Sequence, residues 1–161
     1  MEITHSYRVS ASSTLLRSGV AEIRGIEPAI PFSAPPEFGG VEGHWTPEHF
    51  FVVAVASCYV STFSGTADIS HLDFLSLDLK AEGILEKLDG ALQFSRIILH
   101  PVVKLTREED RSRALRLLEK AEKNCLIARS LKCQIELKPE IKIEEELTAL
   151  ERAGLSAART M

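Results

Sequence analysis

The hydrophobic pattern of the chain changes character at Phe50. Residues 50–56, FFVVAVA, are apolar without a break, so no polar face can be drawn through them. A helix apolar all round is a buried one. The start of this helix is written just upstream. Thr46 suits the N-cap, Pro47 the first helical position, and Glu48 the positive end of the helix dipole. The pattern predicts a helix over about residues 47–67. Upstream, residues 3–10 (ITHSYRVS) alternate and predict a strand. Residues 11–18 are small and polar, with Arg17 at a turn. Residues 20–24 predict a short strand. Residues 28–33 (PAIPFS) predict an extended edge piece, because two prolines fit an edge better than a central strand. Residues 34–45, with two prolines and three glycines, form a loop that delivers the chain to the helix.

Downstream the period changes to two. Leu75, Leu77, Leu79 and Ala81 alternate with polar residues and predict a half-buried strand over residues 74–88. Asp89-Gly90 is a hairpin turn signal. The return strand covers residues 91–105, with Pro101 marking a bulge or an edge. Thr106 followed by Glu109 reads as a capping box. A helix then runs to about residue 124, with Ala114, Leu117, Leu118, Ala121 and Cys125 on one face. One or two helical turns follow, then a strand over residues 134–143 and a solvent-facing helix over residues 144–159. Strands and hairpins separated by single helices predict an α+β fold with antiparallel sheets and two long buried helices. One sheet covers only one side of the first helix, so the pattern also predicts an obligate homodimer. The domain spans residues 1–143, with a helical extension at 144–161.

Composition changes this picture little. The chain has 161 residues, the size of one domain, and 45% of them are apolar. Its net charge of −4 is spread along the chain and argues against a nucleic-acid partner. The sequence shows neither a basic, apolar signal segment nor an apolar run near the ~20 residues that span a membrane. The expected location is cytoplasmic, with no membrane partner. Three cysteines in such a chain are not a disulfide scaffold, and any disulfide is transient.

Candidate chemistry begins with those cysteines. Cys58 and Cys125 lie on two helices, and Cys133 lies near a strand start. There is no CxxC pair and no paired Cys/His spacing, and His44 and His49 do not form a helical pair, so no metal site is expected. A buried cysteine is commonly a small hydrophobe. A thiol–thiol reaction would need an attacking thiolate, a second thiol to resolve it, and a cation to lower the first pKa. Cys58 lies about three turns into its helix, beyond reach of the dipole, so a side chain is required. Arg8, Arg17 and Arg24 are the candidates in the N-terminal half, with Arg17 having the freest reach. Trp45, Phe50, Phe51 and Val55 would line an apolar pocket or simply fill the core.

Three stretches carry a family resemblance: PPEFGGVEGHWTPEHFFVVAVASCYVSTF, KAEKNCLIARSL and LRSGVAE. They resemble the OsmC/Ohr family of thiol-dependent hydroperoxide reductases, over roughly residues 1–143. The resemblance implies an intertwined homodimer with active sites at the subunit interface. It implies Cys58 as peroxidatic thiolate, Cys125 as resolving thiol, Arg17 as the activating cation and Glu48 as its partner. The implied reaction takes an organic hydroperoxide to an alcohol through a Cys58 sulfenic acid and a Cys58–Cys125 disulfide. No metal, flavin or other cofactor is implied, and a dithiol such as a lipoylated protein would supply the electrons. Two departures stand out. Cys125 is followed by Leu126 where the family often has proline, and the C-terminal segment is long. Glu48 and Cys58 are ten residues apart, about 15 Å along a helix, which favours Glu48 serving the partner's site. A non-catalytic dimer binding a small hydrophobic ligand, or a redox sensor, would use the same residues differently.

Overall fold

The computed structural model describes residues 3–144. The expected C-terminal helix lies outside the described residues from position 145 onward. The chain divides into two compact units, the first ending at Val53 and the second beginning at Ala54.

In the first unit, β1 (Ser10–Ser13), β2 (Ser18–Ile23) and β3 (Ile26–Ser33) make an antiparallel sheet in that order. The strand expected over residues 3–10 is displaced: pairing starts at Ser10, opposite Glu22. Its alternating residues find no partner, because β2 ends at Ile23, one residue past the Ser10 pairing. Leu16 and Arg17 turn the β1–β2 hairpin with φ of 51° and 61°, closed by the Ser18 N–H donating to Leu15 O at 2.9 Å. β3 lies at the edge of this sheet, as its prolines predict.

The loop after β3 is folded onto Ser33, which is fully buried. Its hydroxyl oxygen accepts the Val41 N–H at 2.8 Å and the Ser18 hydroxyl at 3.1 Å. A Cβ on Gly40 would overlap the Ala34 carbonyl, so the backbone can pass there only as glycine. Trp45 stacks on Phe50 with ring centres 5.8 Å apart, and Phe32 meets Phe50 edge-on at 6.1 Å.

The long helix α1 spans Pro47–Ile69. Thr46 caps it as expected: its hydroxyl oxygen accepts the His49 N–H at 3.3 Å. His49 Nδ1 returns the favour by accepting the Thr46 N–H at 3.2 Å, the place a glutamate takes in a capping box. Within a single chain the expected burial is realised along one stripe. Only Val55, Tyr59, Phe63 and Ala67 are buried, one stripe at a spacing of four. A stripe is what one packing partner can cover. Val53 remains 41% exposed on another face. With 23 residues and a mean hydropathy of 1.5, α1 is long and apolar enough to cross a membrane by length and composition, which the broken apolar run did not suggest. Its Ser61, Thr62, Ser64 and Thr66 hydroxyls donate to carbonyls four residues back, so they make no outward demand.

In the second unit, β4 (Ser76–Leu88) and β5 (Ala91–Leu105) form a long antiparallel hairpin turned by Asp89 and Gly90 at φ 50° and 85°. The irregularity expected at Pro101 lies elsewhere. Pro101 pairs opposite Leu79 in register, and the shift falls between Ile84 and Leu85, leaving Ser95 as the extra residue. The predicted last strand is two strands, β6 (Gln134–Leu137) and β7 (Glu140–Ile143), both parallel to β5. The sheet is therefore mixed, not antiparallel. Pro139 supplies no N–H and interrupts the strand, and the gap it leaves faces His100 and Pro101 of β5.

Helix α2 spans Arg111–Asn124, with Ala114, Leu117, Leu118 and Ala121 buried. The expected capping box at Thr106 is not how it starts. A 3-10 turn over Glu108–Asp110 precedes it. Buried Asp110 there accepts from Arg107 Nη2 at 2.7 Å and lies 3.6 Å from Arg113 Nη1. The short helix α3 (Leu126–Arg129) follows Cys125 directly.

Candidate active site

Cys58 and Cys125 come together in the second unit. Each of the helices that lead to them carries a buried stripe, Val55–Tyr59–Phe63 on α1 and Leu117–Leu118–Ala121 on α2. Tyr59, fully buried, crosses between them and donates its hydroxyl to Leu118 O at 3.2 Å. Cys125 ends α2 in extended geometry, φ −64° and ψ 113°, and is completely buried. Its thiol lies 4.0 Å from Val55 O, the carbonyl three residues before Cys58. The two thiols are near enough that each shifts the acidity of the other. Cys58 is half-buried, and both cysteines are reduced.

The two sulfurs sit in opposite electrostatic settings. Burial pushes the Cys58 thiol up. The Ile127 N–H, the Cys125 thiol, the Thr62 hydroxyl and the Leu126 N–H outweigh it and hold Cys58 below its ordinary value. Cys125 goes the other way, pushed up to about 11 by burial and by the neighbouring Cys58. A hydrogen bond to the charged form favours that form, and a nearby like charge disfavours a second ionisation. Of the pair, Cys58 is thus the more readily ionised and Cys125 the one that keeps its proton. The Tyr59 phenol is raised too, by burial first and then by Glu122 and Cys125.

Two of the four donors to Cys58 are main-chain N–H groups from the first turn of α3. The dipole of α1 is out of reach, as the sequence argument held. That argument went on to require a side-chain cation. No arginine is among the groups that lower Cys58. The amides of Leu126 and Ile127 leave no trace in residue type. Thr62, four residues after Cys58 and on its helix face, could have been picked out by spacing.

The remaining predicted residues lie in the first unit, up to Val53, or on the buried stripe. Arg17 is exposed at the hairpin tip, its side chain 3.8 Å at Nε from where a Cβ on Gly39 would stand. Glu48 has a buried carboxylate oxygen, Oε2, without a hydrogen-bond partner. The ion pairs among the described residues do not include one joining Arg17 to Glu48 within 4.0 Å. Trp45 and Phe50 are stacked, as described, and Phe51 is half-buried. Val55 points its side chain into the core and offers the thiol pair its carbonyl. Phe50 also closes one end of an apolar cavity of 310 Å³ lined by Val9, Ala21, Ile23, Ile26 and Ile30. Cys133 stands apart from the pair, raised by burial. Among the described residues no cluster of three His, Cys, Asp or Glu side chains could hold a metal ion.

The fold is matched in known proteins. The family model for OsmC-like protein matches residues 40–148. This chain belongs to the OsmC-like family. Among curated relatives, the uncharacterized protein YmaD of Bacillus subtilis is 27% identical over 143 residues, 87% of this chain and 95% of its own. Solved structures share the fold. An OsmC-like protein of unknown function from Vibrio cholerae superposes with a TM-score of 0.76 at 23% identity, over 84% of this chain and 99% of its own. An organic hydroperoxide resistance protein from Elizabethkingia anophelis gives 0.71 at 18% identity, over 89% and 100%. These likenesses make the OsmC-like fold common ground between this chain and proteins of peroxide resistance.

Proposed function

We propose that this OsmC-like protein is a thiol-dependent peroxidase that reduces organic hydroperoxides to alcohols, as a homodimer with a dithiol reductant. One observation carries the reading: two cysteines 67 residues apart in sequence are neighbours, with the Cys125 thiol on the α1 carbonyl of Val55 and opposite shifts in acidity. A core cysteine has no need of surroundings that favour its ionised form. A peroxidatic thiolate does.

In the proposed cycle the Cys58 thiolate attacks the terminal oxygen of ROOH. The O–O bond breaks, and RO− leaves and takes a proton to become ROH. Cys58 is oxidised to the sulfenic acid. The Cys125 sulfur then displaces hydroxide from Cys58, releasing water and forming the Cys58–Cys125 disulfide. A dithiol of the lipoyl class reduces this disulfide in two exchange steps and is itself oxidised to a cyclic disulfide. Arg17 and Glu48 belong to the reading as the cation that holds Cys58 ionised and the carboxylate that pairs with it. The unpartnered Glu48 Oε2 supports it, since a buried carboxylate oxygen calls for a donor. The exposed apolar faces of α1 support a second subunit as cover.

The test is dithiol-dependent consumption of cumene hydroperoxide by the wild type, Cys58→Ser and Cys125→Ser. Turnover in the wild type, its loss in Cys58→Ser and trapping of a sulfenic acid in Cys125→Ser are expected. A single stoichiometric oxidation without turnover would replace the enzyme by a redox sensor, and no oxidation at all would refute both.

A further inference from the structure

The thiol pair is held together by two helices that touch through very few polar contacts. Among the described residues, one side-chain hydrogen bond joins the middle of α1 to α2, Tyr59 to Leu118 O, and Arg113 of α2 donates to Ser70 O just past the far end of α1. Tyr59 follows Cys58 in sequence. The phenol lies against Leu118 and feels Glu122 and Cys125, positions i, i+4 and i+7 of one α2 face. It therefore spans the two turns that lead up to Cys125. Apolar stripes of Ala, Leu and Val fix the distance between helices but leave their sliding register loosely specified, because dispersion contacts are non-directional. A buried hydroxyl on a backbone carbonyl is directional and is costly to leave unmade.

We propose that Tyr59 is a positioning residue for the Cys58–Cys125 pair. Its hydroxyl fixes the register of α1 on α2 near Cys125 and so keeps the two cysteines as neighbours. The proposal rests on the reading of the two cysteines as a redox pair. It does not depend on the peroxide being the oxidant.

The experiment uses glutathione as oxidant. The reduced protein and oxidised glutathione exchange to give the Cys58–Cys125 disulfide and two molecules of reduced glutathione. The equilibrium constant, read by alkylation and mass spectrometry, is the effective concentration of one thiol at the other. Tyr59→Phe keeps the ring and removes only the hydroxyl, and is expected to lower this constant about fivefold to tenfold. Phe63→Leu, one turn further along the same buried stripe, is the control. It should lower the melting temperature without moving the constant. The same constant in Tyr59→Phe as in the wild type overturns the proposal, as does an equal fall in Phe63→Leu. Failure of the wild type to form the disulfide at any glutathione ratio overturns both the proposal and the redox-pair reading. A disulfide that forms with glutathione and weakens in Tyr59→Phe, in a protein inert to cumene hydroperoxide, removes the peroxidase reading and leaves the role of Tyr59 standing.

Discussion

Cys125 Sγ lies 4.0 Å from the carbonyl oxygen of Val55, within the turn of α1 that leads to Cys58. Cys125 is thus seated against the backbone of the helix that carries Cys58. Its proton can be shared with Cys58, which lowers one acidity constant and raises the other.

The first consequence concerns reactivity. In the reduced protein at pH 7, Cys58 should alkylate ahead of Cys125 and Cys133, both of which are raised by burial. Cys125→Ala removes one of the four donors to Cys58 and should slow its alkylation about threefold to tenfold. Rates with iodoacetamide, resolved by peptide mass spectrometry, check this. Equal rates in the two proteins would show that the Cys125 thiol gives Cys58 nothing.

A second prediction isolates one main-chain donor. Leu126→Pro deletes the Leu126 N–H and little else. Proline fits the first position of a helix, and residue 125 is already in the extended region that proline requires before it, ψ 113°. The variant should fold, keep its circular dichroism spectrum, and shift the pH profile of Cys58 alkylation to higher pH. An unchanged profile would remove the Leu126 amide from the account.

Those amides also mark where sequence reading stops. The cap at Thr46, the turn at Asp89-Gly90 and the buried face of α2 were legible because each is written in residue types with a local geometric meaning. The long helix was legible in position but not in burial. Its apolar run is continuous, while a single chain supplies cover along one stripe only. The strand β1, SASS, carries no apolar alternation and is defined by its pairing with β2. The parallel docking of β6 and β7 on β5 is a long-range choice that a period of two cannot express. At the site, the thiols and Thr62 could be found by spacing. The donors from α3 could not, since every residue but proline has an N–H.

A third prediction follows from the hairpin tip. Leu16 and Arg17 both hold positive φ, where a Cβ costs about 1 kcal/mol or more and where Asn or Gly is the usual occupant. Leu16→Gly should therefore stabilise the protein by about 1 kcal/mol, offset in part by the greater freedom of glycine in the unfolded chain. Arg17→Gly should stabilise it similarly while costing peroxidase turnover, if Arg17 acts as proposed. Urea denaturation and the cumene hydroperoxide assay separate the two effects. A loss of stability in Leu16→Gly would mean that the leucine side chain makes contacts worth more than the backbone strain.

The last prediction turns the acidity of Cys125 into a stability profile. Its folded-state value is raised from 9.0 to about 11. Below pH 9 the thiol is protonated in both folded and unfolded chains and the profile is flat on its account. Between about pH 9 and 11 the unfolded chain has released this proton and the folded chain still holds it. Stability must then fall with rising pH, by about 1.4 kcal/mol per pH unit at most. Cys58 has the opposite sign. Its lowered value adds stability as pH rises toward the unfolded value and is constant above it, so it does not mask the decline. Tyr59, also raised, steepens the fall only above about pH 10, where an unfolded tyrosine begins to ionise. Cys133, also raised by burial, adds to the fall from about pH 9 in both proteins, so the share of Cys125 is the difference between the wild type and Cys125→Ala over pH 9 to 10. Urea denaturation under reducing conditions should show the decline there in the wild type and in Phe63→Leu, and a flatter profile in Cys125→Ala. Parallel profiles for the wild type and Cys125→Ala would mean that Cys125 titrates alike in the folded and unfolded chains, and the division of the pair into thiolate and thiol would have to be abandoned.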